Sequence, residues 1–137
     1  MKRILNITSE TANLCTVRKL VNDFACDCGL DQPEVELIVL GLDEACSNII
    51  RHAYRGDSGR RIRLVCDKLS GRIRFRLRDF GTPCDPSMLS IKLLERPLGC
   101  SRVGGLGLHF IRKAFDEIRF VPKEKGTELV LIKVLKS

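Results

Sequence analysis

The sequence predicts an α+β two-layer sandwich: a mixed, mostly antiparallel sheet with helices on one face. Three observations predict it. Two helical segments follow one another before residue 55; residues 61–79 read as a strand hairpin; a third helix and two strands close the chain. The element order is then β-α-α-β-β-lid-α-β-β.

Residues 3–7 read as a short strand. Thr8-Ser9-Glu10-Thr11 supplies hydroxyl capping candidates for a helix running to about Cys28, where Gly29 stops it. Asp31 or Gln32 caps a second helix with Pro33 in its first turn, and this helix should reach about Tyr54. After a polar turn at 55–59, strands at 61–68 and 72–79 join through Leu69-Ser70-Gly71. The second strand alternates strictly. Arg72, Arg74, Arg76 and Arg78 point one way, and Ile73, Phe75, Leu77 and Asp79 the other, so one face packs and the other is wet. The arginine stripe reads first as a solvated sheet face. Residues 81–103 carry Gly, Pro, Cys, Asp and Ser in quick succession, with a short helix around 87–95, and a loop of this size is often a functional lid. Gly104-Gly105-Leu106-Gly107 leads into a helix to about Asp116, and strands at 117–121 and 127–134 follow.

The 137 residues, 44% hydrophobic and 30% charged, fit one globular unit over 1–137, with no repeats or linker. The longest apolar runs fall well short of a membrane span, and the start lacks a signal-peptide core, so a cytoplasmic location is the default. The seven cysteines read as reduced and structural; Cys26-x-Cys28 has no second pair to complete a zinc site. The net charge of +7 admits nucleic acid, an anionic nucleotide or an acidic protein as partner. Few aromatics accompany the arginines, which argues against base stacking.

Three positions carry chemistry. On the second helix Leu37, Gly41, Glu44 and Asn48 share one stripe, which projects an acid and an amide together. An ordinary hydrogen-bonded pair would look the same. Asp79 falls on the buried face of its strand, where a carboxylate needs donors. Backbone amides of Phe80-Gly81-Thr82-Pro83 or the exocyclic amine of a base would both serve. Gly104-Gly105-Leu106-Gly107-Leu108 opens a helix, where exposed N–H groups favour anions. It fits neither the Rossmann fingerprint nor the P-loop.

Together the three segments resemble a known family. Asp43-Glu44-Ala45-Cys46-Ser47-Asn48-Ile49-Ile50-Arg51-His52-Ala53-Tyr54 is similar to the N-box of the gyrase, heat-shock chaperone, histidine-kinase and mismatch-repair ATPase superfamily, whose domain is the Bergerat ATP-binding fold. Asp79-Phe80-Gly81-Thr82-Pro83 resembles its first glycine box, and Gly104-Gly105-Leu106-Gly107-Leu108-His109-Phe110 its second. The form of the N-box and the continuation Cys84-Asp85-Pro86 resemble the small anti-sigma-factor serine/threonine kinases.

The resemblance implies roles. Asn48 would coordinate Mg²⁺, Glu44 would act as general base on a substrate hydroxyl, and Asp79 would accept from the adenine amine beside Gly81. Gly105 and Gly107 would bring backbone amides to the phosphates. Gly104, Leu106 and Leu108 of the same segment, with His52, Pro83 and Thr127, complete the ATP-binding set. His52 and His109, read from the residues alone, are packing or hydrogen-bonding groups rather than phosphoacceptors. Residues 95–103 would form a mobile lid offering Arg102. Pro83 departs from the family, standing where many members carry a second glycine.

The expected function is an ATP-dependent protein serine/threonine kinase and anti-sigma factor. It would bind a sigma factor, phosphorylate an anti-sigma antagonist and pair as a homodimer, with no direct nucleic-acid or membrane partner. Helix one and the basic sheet face are its candidate docking surfaces. The alternatives are a non-catalytic ATP-binding regulatory module, a stand-alone histidine-kinase-type catalytic domain and, from charge alone, a nucleic-acid-binding module.

Overall fold

A computed structural model describes residues 1–81 and 105–136 of the chain, with the side chains of 105–109 left out. Their elements are β1 (Lys2–Thr8), a 3₁₀ turn (Thr11–Asn13), α1 (Leu14–Asp27), α2 (Gln32–Asn48), a π-helical turn (Ile49–Ala53), β2 (Arg61–Leu69), β3 (Arg72–Asp79), α3 (Gly105–Ala114), β4 (Glu117–Pro122) and β5 (Thr127–Val134). The sheet order is β1-β2-β3-β5-β4, and all four pairings are antiparallel. The α+β class stands, but the described sheet is not mixed. After the two intervening helices, β2 returns antiparallel to β1.

Local chemistry explains the element ends. Asp31 caps α2 by accepting from the Glu34 N–H at 3.0 Å, with Pro33 in the first turn. At the end of α1, Gly29 N–H reaches the Cys26 carbonyl and Leu30 N–H the Ala25 carbonyl, a Schellman closure. The start of α1 differs from expectation. Thr8 ends β1, the 3₁₀ turn precedes the helix, and Asn13, at the N-cap of α1, makes no side-chain capping bond. Ser9 is engaged elsewhere: its Oγ donates to the Asp57 carbonyl and accepts from the Arg60 N–H, which ties down the 57–60 turn.

The core lies between the sheet and the helices. Val17, Val21 and Phe24 of α1 and Ile38, Leu42 and Cys46 of α2 face Ile62, Leu64, Ile73, Phe75 and Leu131. Phe75 sits between Phe24 and Phe115 with edge-to-face centroids 5.7 and 5.8 Å away. Gly41 lets α2 approach α3, since a Cβ there would stand 3.2 Å from the Phe115 ring and 3.6 Å from the Ile111 α-carbon.

The opposite sheet face is only partly wet. Arg72 is exposed, but Arg74, Arg76 and Arg78 are half-buried. Asp67, 7% exposed, pairs with Arg74 at 3.1 Å and Arg76 at 3.3 Å. Val65 and Ile132, the register partners of Arg76 and Arg74, are buried on this face. Arginine stems that cover apolar side chains account for this, where alternation alone predicts a solvated stripe.

Candidate functional site

The N-box segment begins as ordinary helix and ends as a wider one. α2 stops at Asn48, the chain continues through the π turn, and the Tyr54 N–H reaches the Ile49 carbonyl at 2.9 Å. A single helix to Tyr54 is therefore replaced by an α-helix with a π-helical last turn, a feature that often accompanies functional positions. Glu44 and Asn48 share one side as their spacing predicts. What joins them is Arg51, whose Nη2 donates to Glu44 Oε1 at 2.6 Å and to Asn48 Oδ1 at 2.9 Å. Thr11, Ser47 and Ile50 line a shallow open cleft with Glu44 and Arg51.

Asp79 ends β3 in register with Ile62 and is 7% exposed. Its Oδ1 accepts from the Gly81 N–H at 3.1 Å. Burial raises the carboxyl above its ordinary range, while the backbone N–H groups of Gly81 and Thr127 and the charge of Arg78 pull the other way. The donors that a buried carboxylate needs thus come from the following turn, and Thr127 contributes through its backbone. Phe80 lies between two guanidinium groups, Arg61 at 4.7 Å and Arg78 at 4.6 Å from the ring centroid. Arg78 also donates to the Lys125 carbonyl at 3.0 Å and so fastens the β4–β5 turn beside Asp79.

Tyr54 links the N-box to this end of the sheet. It is 1% exposed; its hydroxyl donates to the Arg61 carbonyl and accepts from the Phe80 N–H at 2.6 Å. Gly81 fits between: a Cβ would stand 3.0 Å from the Ala53 carbonyl and 3.2 Å from the Tyr54 ring. The described structure therefore brings the first glycine box onto the end of the N-box. Gly105, Leu106, Gly107 and Leu108 open the described part of α3. Pro83, Arg102, Gly104, Cys84 and the expected lid lie outside the described residues, and the His109 side chain lies outside the described side chains.

Two expectations need correction or completion. His52 is exposed, so it is not the packing residue expected, and it has no hydrogen bond among the described residues. The residues missed were Arg51, Tyr54 and Gly126. The signals were present: Arg51 and Tyr54 lie inside the N-box, and Gly126 is the lone glycine between the last two strands. Of the cysteines, Cys46 and Cys66 are buried and their thiols are pushed up to about 12, which makes them packing groups rather than nucleophiles. No cluster of three or more His, Cys, Asp or Glu that could hold a metal occurs among the described residues. None of their helices is long and apolar enough to cross a membrane.

An acid and an amide on a helix, a buried aspartate at a strand end and a glycine-opened helix stand in the order of one family. Residues 7–133 match the model of the Histidine kinase-like ATPase domain. The chain belongs to this family. Among curated relatives, the Serine-protein kinase RsbW of Bacillus cereus (strain G9842) is 27% identical over 130 residues, 92% of this chain and 81% of that protein. The Bacillus anthracis protein of the same name is 26% identical over the same shares. These relatives bear out the resemblance to the anti-sigma-factor kinases. In three dimensions, the chain of the RsbU and RsbW domains of Rv1364c from Mycobacterium tuberculosis aligns with a TM-score of 0.68 at 17% identity, over 98% of this chain and 32% of that one. The SiaB–SiaC complex from Pseudomonas aeruginosa aligns at 0.65 and 12%, over 95% of this chain and 89% of that one. At such identities the structural likeness establishes the fold. Within the histidine kinase-like ATPase family, the N-box and first glycine box of this chain are the parts whose geometry is on view.

Proposed function

We propose that this chain binds ATP with Mg²⁺ and transfers a phosphoryl group to a serine or threonine hydroxyl of a protein. The observation that carries the reading is Asp79: a buried carboxylate at a strand end, bonded by backbone, with side chains excluded around it by Gly81 and Gly126. Such a carboxylate would accept from the adenine amine, and Gly81 and Gly126 keep this strand end closely packed where any side chain would clash.

Asn48 Oδ1 already accepts from a guanidinium, and an amide oxygen suits a hard divalent ion. One protein oxygen is too few for a closed cage, so phosphate oxygens and water would complete the shell. Mg²⁺ would neutralise phosphate charge, while Asn48 holds it and Glu44 takes the proton of the attacking hydroxyl. The first turn of α3, with Gly105 and Gly107, would face the phosphates with its N–H groups. His52, Leu106, Leu108 and Thr127, and beyond the described residues Pro83, Arg102 and Gly104, are proposed on the resemblance alone. The whole of 1–137 would act as one ATP-binding domain.

The relatives named as serine-protein kinases favour a protein serine hydroxyl as acceptor; a sigma factor as the restrained partner and an anti-sigma antagonist as substrate are proposed on the resemblance of the N-box and first glycine box. A homodimer and a cytoplasmic setting go with that reading. Calorimetric titration with ATP, with and without Mg²⁺, tests it beside Asp79→Asn and Asn48→Ala. Binding should be lost in the first variant and lose its Mg²⁺ dependence in the second. Full affinity in both would exclude this pocket.

A further inference from the structure

One amino group of Arg51 bridges the two side chains assigned to phosphoryl transfer. Its Nη2 lies 2.6 Å from Glu44 Oε1 and 2.9 Å from Asn48 Oδ1. The nitrogen occupies the point between two oxygens that a cation touching both would take. No other cation pairs with Glu44 among the described residues; the neighbouring Asp43 is paired instead with Arg18 of α1, at 2.6 Å.

We propose that Arg51 is the resident counter-cation of this oxygen pair: it holds Glu44 and Asn48 together until a divalent cation arrives, and is then displaced. The inference rests on the reading of Asn48 as the residue that holds the metal, with Glu44 beside it as the base. A guanidinium and a divalent ion cannot share the point, because their like charges repel at contact distance. Departure is cheap. The Arg51 side chain is 50% exposed, so its head can return to water, and an exposed ion pair of this kind is weakly held. Its place just after α2, on the wider π turn, puts it one turn beyond Asn48 without blocking that residue's other side. The pair is thereby kept assembled rather than splayed, and any metal must compete for it. Arg51 is in this sense a positioning residue.

The probe is Mn²⁺ alone, added to isotope-labelled protein, with paramagnetic broadening of the Asn48 side-chain amide as readout. Arg51→Gln should need about two- to tenfold less Mn²⁺ for half-broadening, from the strength of an exposed ion pair and the loss of a like charge. Arg55→Gln removes the same charge from an exposed neighbour with no bond to the pair and should leave the midpoint where it is. An unchanged or higher midpoint in Arg51→Gln overturns the proposal. So does an equal fall in both variants, or no broadening of Asn48 in any protein. ATP calorimetry on the unaltered protein separates this from the reading it rests on. Nucleotide binding without the Mn²⁺ shift removes the counter-cation and keeps the pocket; the shift without nucleotide binding keeps the exchange and removes the nucleotide reading.

Discussion

Gly126 stands directly against Asp79: a methyl group on its α-carbon would lie 2.1 Å from the Asp79 carbonyl oxygen and 2.7 Å from Oδ1. Both neighbours are fixed, the carbonyl by the backbone and the carboxylate by the Gly81 N–H. The glycine also has φ of +78°, where other residues are strained. Gly126→Ala should therefore cost about 2–4 kcal/mol of stability, within the range of overpacking and backbone strain. Urea denaturation measures the cost, and ATP calorimetry on the folded fraction should show the pocket closed. A fully stable variant that binds ATP would mean that the turn can move aside.

Burial raises the Asp79 carboxyl, and the sign of its pH effect follows. The folded protein holds this proton more tightly than the unfolded chain does. Stability from this group is greatest below the ordinary carboxylate range and falls as pH rises through the raised folded value. Asp79→Asn, which keeps an acceptor for the Gly81 N–H, should flatten that fall. Urea midpoints of both proteins at mildly acidic and neutral pH check it. A parallel pair of curves would remove burial as the cause.

On the proposed reading, Glu44 takes the proton of the attacking hydroxyl and holds neither the adenine nor the fold. Glu44→Gln should keep ATP affinity within about threefold and lower phosphoryl transfer by about 10²–10⁴, the usual range for a lost general base. Transfer is followed with radiolabelled ATP and an anti-sigma antagonist protein, the substrate proposed above. Undiminished transfer would assign the proton to another group.

The Tyr54 hydroxyl serves two strands at once. Tyr54→Phe leaves the half-buried Phe80 N–H without its acceptor and should cost about 1–3 kcal/mol. Thermal unfolding gives the loss. Because Phe80 follows Asp79, ATP affinity should weaken as well. A variant with unchanged unfolding would show that water replaces the hydroxyl.

Much of this molecule is legible in one dimension. The cap at Asp31, the stop at Gly29 and the hairpin at Ser70-Gly71 are local, decided by residues a few positions apart. The alternation of β3 correctly placed Asp79 inside, and helical spacing put Glu44 beside Asn48. Ser9 shows where this fails: it looks like a helix cap, yet its hydroxyl bonds Asp57 and Arg60 about fifty residues away.

What the sequence by itself determined was the order of the described elements, the family and where the candidate site residues fall on them, because these depend on spacing along the chain. Only the tertiary structure decided how they meet. Arg51 closes on Glu44 and Asn48 from the following turn, Tyr54 joins two strands, and Gly126 shuts against Asp79. It also decided that the arginine stripe is half-buried around Asp67, since pairing across strands, not alternation within one, brings Asp67, Arg74 and Arg76 together. Contacts between residues far apart in sequence depend on register and packing, and neither is written in the spacing of a single segment.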